Sequence, residues 1–163
     1  MDKTLKVIRD LCKSGLIQSY AIGGGIAATY YIEPILTYDL DIFFIPIKKG
    51  LDVLSPIYSE LKKKGYPLEK ELVVIEGIPV QFIPVYNELV KEAVETAVES
   101  AYKKVRTRIL RPEYLVAIAL QTNRPKDRER AAQILSQAII DRRVLTSLLK
   151  KFGLSERYRK IKA

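Results

Sequence analysis

A run of three glycines, followed by an Asp-Leu-Asp triplet, constrains the fold of this chain more than any other feature. The glycines are Gly23, Gly24 and Gly25, and the acidic residues are Asp39 and Asp41. QSYAI before the glycines predicts a short strand, IAATYYIE after them is compatible with a helix, and TYDLDIFFIPI predicts a second strand. Because side chains alternate along a strand, the two aspartates share one face.

Periodic patterns predict the remaining elements along the chain. Helices are predicted over residues 3–14, 51–64, 87–98, 112–122, 127–140 and 141–152. Two strands joined at Glu76-Gly77 are predicted within residues 69–85, and a strand with a basic face over residues 102–111. We therefore expect an α/β (α+β) fold. A small mixed sheet flanked by helices would span residues 1–110, and a helical segment, 111–163, would pack on it. The tail RYRKIKA is expected to fray.

The composition excludes several classes of site. The chain has 163 residues and no histidine, so Ser-His-Asp relays and His-ligated metals are excluded. The single cysteine, Cys12, lies on the apolar face of a predicted helix, which indicates a buried, inert thiol. Acid–base and metal chemistry would therefore depend on carboxylates, lysines, tyrosines or the backbone, and carboxylates with Mg²⁺ are the default choice.

No part of the sequence predicts contact with a membrane. No apolar run reaches the roughly 18 residues that a membrane-spanning helix needs, and the start, MDKTLKVIRD, lacks the apolar core of a signal peptide. We therefore expect a cytoplasmic protein with no membrane partner.

Charge is distributed unevenly along the chain. Residues 1–100 hold 11 Lys or Arg and 14 Asp or Glu, whereas residues 101–163 hold 17 and 5. The basic half suggests a polyanionic partner such as RNA, or an acidic protein, and a solvated helical surface is the alternative. The basic residues that would act on such a partner include Arg106, Arg108, Arg142 and Arg143.

Paired aspartates near a glycine turn are typical of a site for a divalent cation and a phosphate. Two carboxylates on one strand face, roughly 7 Å apart at the backbone, can converge on one cation. Two ionised carboxylates without a neighbouring cation would be unfavourable among the adjacent Leu, Ile and Phe side chains. Glycines between a strand and a helix let backbone N–H groups approach a phosphate. An exposed acidic strand and an ordinary tight turn are the alternatives.

AIGGG followed by TYDLDIFF resembles the signature of the nucleotidyltransferase superfamily, with its polymerase-beta-like fold. The later stretch RPEYLVAIALQTNRPKDRERAAQIL is similar to the branch that includes the AbiEii/AbiGii-type toxins. Together these motifs extend the resemblance over roughly residues 18–138.

The resemblance implies a metal and nucleotide site. Asp39 and Asp41 would ligate Mg²⁺ (or Mn²⁺), and the glycine turn with Thr37 would bind the triphosphate of an NTP. Lys126 would contact the phosphates, and Asp127 would position that lysine or the acceptor. Without the resemblance, Lys126 and Asp127 would be interpreted as solvated charges at a helix start.

Three positions depart from the family pattern. Complete members carry a third carboxylate on a neighbouring strand, and Gln81 stands at the matching position, which makes it a candidate third ligand. A glutamine can hydrogen-bond a substrate or a metal-bound water but cannot take a proton. An arginine common before the acidic strand is absent, and Ala119 replaces a lysine common in relatives.

Three functions remain open from the sequence. The first is an enzyme that transfers NMP from an NTP to a hydroxyl acceptor on RNA, protein or a small molecule with Mg²⁺. In the toxin-like branch such an enzyme would act with an antitoxin partner. The second is a catalytically degenerate module that binds nucleotide or nucleic acid without turnover, which Gln81 favours. The third is a scaffold that acts with a helical partner.

Overall fold

The computed structural model describes residues 1–162, which form a mixed sheet flanked by helices, and the expected fold class is confirmed. The seven strands of these residues are β1 (Ile17–Gly23), β2 (Leu40–Pro46), β3 (Leu68–Glu69), β4 (Leu72–Ile75), β5 (Ile78–Pro84), β6 (Val98–Tyr102) and β7 (Val105–Ile109). Their eight helices are α1 (Asp2–Lys13), α2 (Gly24–Ala28), α3 (Ser55–Lys63), α4 (Glu88–Glu95), α5 (Pro112–Thr122), α6 (Pro125–Gln137), α7 (Arg142–Lys151) and α8 (Ser155–Lys162).

The strand order places the glycine and aspartate strands at the centre of the sheet. The order is β3-β4-β5-β2-β1-β7-β6. β2 runs antiparallel to β1 and parallel to β5, and β1 runs parallel to β7. The run Ile42–Phe44 in β2 is buried without interruption, as expected for a strand covered on both faces. The last residue of β1, Gly23, therefore lies beside the start of β2, which lies next to the middle of β5.

Helix α5 connects the helical segment to the rest of the molecule. It contacts α2, α4, α6 and α7. Eight of its residues are buried, including Glu113 and Tyr114, because a helix that is apolar on all sides must be enclosed by other elements. The division of the chain at residue 110 stays a prediction.

Two predicted local features are confirmed. The Asn87 side chain caps α4 by accepting a hydrogen bond of 2.9 Å from the Val90 N–H. Glu76 and Gly77 form the two-residue turn between β4 and β5, with φ values of 51° and 80°. Positive φ at both positions is what a tight hairpin turn requires.

Several predictions about element bounds are wrong. The acidic strand begins only at Leu40, so Asp39 lies outside it, α3 begins at Ser55 rather than at residue 51, and α6 spans Pro125–Gln137 rather than residues 127–140.

The helix after the glycines begins earlier, at Gly24, and ends at Ala28, before the β-branched and aromatic residues 29–32, which lose side-chain freedom in a helix. Residues 102–111 do not form one strand, because a turn at Lys103, with φ of 53°, separates β6 from β7. Neither glycine nor asparagine occurs at this turn, so the sequence does not predict it.

The prediction of a frayed tail is also wrong for the residues that the structure describes. Residues 155–162 form α8, while Ala163 lies outside the described residues. The Arg157 guanidinium donates hydrogen bonds of 2.9 and 2.8 Å to the carbonyl oxygens of Leu120 and Gln121. Carbonyls at the end of a helix such as α5 have no partner within the helix, so Arg157 ties α8 to that end.

A search for long apolar helices within residues 1–162 finds none that could cross a membrane.

Candidate active site

Gly23, Asp41 and Gln81 occupy equivalent register positions on three neighbouring strands. Gly23 of β1 is paired with Asp41 of β2, and Asp41 is paired with Gln81 of β5. Asp39 lies directly before β2 begins at Leu40, at a bend that leads into the strand. The expectation that Gln81 lies on the strand next to the aspartates is therefore met by the backbone.

Asp41 and Gln81 line a cleft of about 180 Å³ together with residues of α5 and α6. Its polar lining comes from the glycine turn, the strand ends and the start of α6: Gly24, Gly25, Thr37, Asp39, Asp41, Gln81, Tyr86, Thr122, Arg124, Lys126, Asp127 and Arg130. Its apolar lining comprises Phe43, Ile83, Leu110, Leu115, Ile118 and Ala119. Every residue predicted for the site lines this cleft except Gly23, which precedes the turn.

The glycine turn lies directly against the acidic and threonine side chains. Gly24 has a φ of +59°, and a Cβ added there would overlap the Asp41 carboxylate. A Cβ at Gly25 would be 2.7 Å from Thr37 Oγ1 and 3.5 Å from Arg130 Nη2. Only residues without a side chain allow this approach, so the turn, the carboxylate and the threonine form one compact group.

Burial and charge act together on Asp41. Burial raises the pKa of Asp41, the Asp39 charge raises it further, and the charges of Arg130, Lys126 and Arg124 lower it, which leaves the pKa at about 6. The ionised pair is thus unfavourable in the free protein, and a divalent cation between the carboxylates would relieve the repulsion.

The donor set fits a divalent cation that takes part of its coordination from substrate. Asp39 and Asp41 offer hard carboxylate oxygens, and Gln81 offers an amide oxygen beside them. Within residues 1–162 no group of three or more His, Cys, Asp or Glu side chains forms a complete metal site. Mg²⁺ commonly binds through one or two carboxylates together with phosphate oxygens and water, which suits this arrangement.

Asp127 is buried at the start of α6 and binds an arginine and a threonine. Its Oδ2 accepts hydrogen bonds from Arg124 Nε at 2.6 Å and from Thr122 Oγ1 at 2.9 Å. Its Oδ1 lies 4.0 Å from Arg130 Nη1. Burial would raise the pKa of Asp127, but these hydrogen bonds and arginine charges outweigh it and hold the pKa below its usual range. The observed partners of Asp127 are therefore arginines rather than Lys126.

A second depression adjoins the cleft, and we call it the outer groove. It has a volume of about 600 Å³ and lies between residues 34–39 and α6. It shares Thr37, Asp39, Lys126 and Arg130 with the cleft, so the two spaces are continuous. Tyr38 is 78% exposed at its rim, which leaves an aromatic face available to a ligand.

The sequence reasoning missed Arg124 and Arg130 as parts of the site. Arg130 lies four residues after Lys126 and three after Asp127, and this helical spacing places all three on one face of α6. This spacing is the sequence signal from which Arg130 could have been predicted as part of the site. Arg124 precedes the helix, and only the packing of α5 against α6 brings it to the cleft.

Cys12 and the four arginines considered as contacts for a polyanionic partner lie away from the cleft. Burial raises the pKa of Cys12 to about 11, in keeping with an inert thiol. Arg106 and Arg108 line a depression beside β7, and Arg142 and Arg143 line a shallow one on α7. These four arginines therefore lie on separate surfaces and do not line the cleft.

Two solved structures share this arrangement of elements. The crystal structure of an antigenic nucleotidyltransferase-like protein from Paracoccidioides brasiliensis is similar over 99% of this chain and 93% of that chain, with a TM-score of 0.56 and 12% identity. The solution structure of the antibiotic-resistance factor ANT(2'')-Ia is similar over 99% of this chain and 97% of that chain, with a TM-score of 0.53 and 15% identity.

The chain has the nucleotidyltransferase-like fold. At these identities the similarity concerns the fold alone. No protein-family model matches the chain, and no curated protein sequence matches it either. In this nucleotidyltransferase-like fold, the Asp39–Asp41 pair, the glycine turn and the start of α6 border one cleft.

Proposed function

We infer that this protein is a nucleotidyltransferase that moves a nucleoside monophosphate from an NTP to a hydroxyl acceptor. One observation carries the proposal: Asp39 and Asp41 border the same cleft as the glycine turn and face three cationic side chains across it. A triphosphate with a divalent cation complements such a division of charge, because the carboxylates attract the metal and the cations attract the phosphates.

Asp39 and Asp41 would hold Mg²⁺ or Mn²⁺, with Gln81 beside them. When bound, the cation would supply charge neutralisation for the phosphate oxygens and lower the barrier to attack. The acceptor oxygen forms a bond to the α-phosphorus, and the bond to the β-phosphate breaks to release pyrophosphate. The hydroxyl proton leaves to an aspartate oxygen or to water, since an amide such as Gln81 cannot accept it.

The outer groove is the space we assign to the acceptor. It opens directly onto Asp39 and Lys126 and has the volume for a sugar or an extended side chain. RNA, a protein hydroxyl and a small molecule all carry the required group. An RNA acceptor would use the basic surfaces of the C-terminal half, such as the one around Arg142 and Arg143.

We extend the proposal to a toxin-type role with an antitoxin partner. Its support is the resemblance of the RPKD element to the AbiEii/AbiGii-type toxins and the position of that element, where Lys126 and Asp127 border the cleft. Coexpression with the genes encoded next to this one would test it. The active enzyme should inhibit growth and the Asp41→Asn variant should not. An antitoxin should restore the growth that the active enzyme inhibits.

A binding module without turnover is the second candidate, and the Gln81–Asp41 register favours it. A third carboxylate would be a better proton acceptor than the amide that stands there. Such a module would bind NTP with Mg²⁺ but would release no pyrophosphate.

Transfer of label distinguishes the two functions. Each NTP, labelled at either the α- or the γ-phosphate, is incubated with the protein, Mg²⁺ and total RNA or cell lysate. Nucleotidyl transfer moves the α-label to a macromolecule or small acceptor and leaves the γ-label in pyrophosphate. Asp39→Asn and Asp41→Asn should abolish transfer. Binding of NTP without movement of either label would select the binding module.

A further inference from the structure

Arg130 lies where the cleft and the outer groove meet. Its side chain is 22% exposed and lines both spaces. Its Nη2 lies so close to the glycine turn that a Cβ at Gly25 would be 3.5 Å away. Within the described residues its buried Nε has no hydrogen-bond partner. A buried guanidinium nitrogen without a partner is unfavourable, and the two Nη atoms, which form no hydrogen bond within the described residues and are not buried as Nε is, remain available to an anion in the cleft.

Asp127 is placed to orient this guanidinium. Its Oδ2 accepts hydrogen bonds from Arg124 Nε and Thr122 Oγ1, and its Oδ1 accepts one of 3.4 Å from Arg124 Nη2 and lies 4.0 Å from Arg130 Nη1. The carboxylate thus attracts Arg130 Nη1, while Nη2 lies beside the glycine turn. Lys126, by contrast, is exposed, and across residues 1–162 it forms neither an ion pair nor a side-chain hydrogen bond. A long, unrestrained ammonium is a less precise phosphate ligand than a fixed guanidinium.

We propose that Arg130, oriented by Asp127, is the main polyphosphate-binding residue of this site, and that Lys126 contributes only a screened outer charge. This inference rests on the proposed function, because it names the group that receives the NTP phosphates. The planar guanidinium donates hydrogen bonds to phosphate oxygens beside the glycine turn, in the cleft that the Asp39–Asp41 pair also borders. Asp127 is a positioning residue that acts through Arg130.

Equilibrium binding to the full chain tests the assignment. The probes are Mg²⁺ with an α,β-methylene NTP, inorganic triphosphate, and the free nucleoside. Arg130→Gln should weaken binding of the NTP analogue and of triphosphate by about thirtyfold and leave nucleoside binding unchanged. Arg130→Lys should recover only part of this loss, because it restores the charge but not the fork. Lys126→Gln should cost less than about threefold.

Arg128→Gln is the matched control on the same helix. Arg128 donates to the Asn123 carbonyl oxygen and does not line the cleft, so its loss should leave all three affinities unchanged. Asp127→Asn keeps one acceptor oxygen for Thr122 and Arg124 Nε but removes the charge that faces Arg130. It should weaken triphosphate binding on its own and cause no further loss when combined with Arg130→Gln.

The outcomes separate this assignment from the proposed function. If the wild-type protein binds no NTP with Mg²⁺, both fail. If the wild-type protein binds and transfers nucleotide but Arg130→Gln binds as tightly, or Lys126→Gln loses more, only the Arg130 assignment is overturned. Additive losses in the Asp127→Asn, Arg130→Gln pair would overturn the positioning role of Asp127.

Discussion

Asp41 and Gln81 occupy the same register position on two neighbouring parallel strands, β2 and β5. Both side chains line the cleft, so a carboxylate at position 81 would stand beside the acidic pair. This relationship makes Gln81 the position at which the metal affinity of the site can be changed most directly.

Replacement of Gln81 by aspartate should raise Mg²⁺ affinity on the order of tenfold, because it adds a charged oxygen ligand. Without metal the third carboxylate should lower the free energy of unfolding, since it increases the repulsion. Calorimetric titration with Mg²⁺ and urea denaturation in EDTA measure the two effects. Gln18→Asp, on an exposed position of β1, adds the same charge elsewhere and should change neither. An unchanged or weaker Mg²⁺ affinity in Gln81→Asp would mean that position 81 is not a ligand position.

A methyl group on Gly24 should abolish metal binding and activity. The residue has a positive φ, and its Cβ would overlap the Asp41 carboxylate, which must then move. Gly15→Ala is the matched control, because Gly15 also has a positive φ, +77°, but nothing lies within 4 Å of its added Cβ. Both variants should lose about 1–2 kcal/mol of stability from the left-handed backbone. Mg²⁺ binding and label transfer should be lost only in Gly24→Ala, and equal behaviour of the two variants would show that the turn does not hold Asp41 in place.

Without metal, Asp41→Asn should stabilise the protein at neutral pH. Because the pKa of Asp41 is raised to about 6 on folding, the native state binds more protons than the unfolded chain between pH 4 and 6. The contribution of this group to the free energy of unfolding therefore falls as pH rises through that range. Above the pKa of Asp41 in the folded protein, this group lowers the free energy of unfolding by at most about 3 kcal/mol.

Urea denaturation in EDTA at pH 4 and pH 7 measures this difference. Relative to the wild type, Asp41→Asn should have a higher free energy of unfolding, by the larger amount at pH 7 and by little at pH 4. Asp10→Asn, at an exposed position of α1, should leave the free energy of unfolding unchanged at both pH values. Added Mg²⁺ should stabilise the wild type and not Asp41→Asn. A wild type that is more stable than Asp41→Asn at pH 7 in EDTA would contradict the electrostatic account of the pair.

The exposed arginines of α7 should contribute to RNA binding without affecting the nucleotide. Each lost contact with a single-stranded phosphate reduces the slope of log affinity against log salt by about 0.7, so Arg142→Gln with Arg143→Gln should reduce it by about 1.4. Lys62→Gln with Lys63→Gln removes the same charge from α3 and should leave the slope unchanged. Filter binding at several salt concentrations measures the slopes. Equal slopes for the two double variants, or no RNA binding by the wild type at low salt, would favour a protein or small-molecule acceptor.

The elements that local chemistry determines could be predicted from the sequence. The glycine turn, the acidic strand and the Glu76–Gly77 hairpin each depend on residues with strong conformational or charge preferences. The Lys103 turn could not be predicted, because lysine carries no preference for the positive φ it adopts there. Helix α8 was missed because Arg157 holds it through carbonyls of α5, a contact between residues more than 35 positions apart.

The same distinction applies to the site. Asp41 and Gln81 follow from strand alternation and pairing, which the sequence pattern expresses, whereas Asp39 lies at a bend before the strand that was predicted to contain it. The orientation of Asp127 toward Arg124 and Arg130 depends on how α6 begins after the turn at Asn123, whose φ is 57°. That geometry results from tertiary packing. The sequence could therefore indicate that Asp127 belongs to the site, but not which cationic side chain it binds.

Binding of a metal and nucleotide in this cleft underlies the proposed transfer, and paramagnetic broadening by Mn²⁺ tests it most directly. Backbone amide signals of the labelled protein are recorded by NMR during titration with Mn²⁺, alone and with an α,β-methylene NTP. The signals of Gly24, Gly25, Asp41 and Gln81 should weaken first, and Asp41→Asn should abolish the effect. Broadening centred elsewhere, or the same pattern in Asp41→Asn, would contradict a metal–nucleotide site between the aspartate pair and α6.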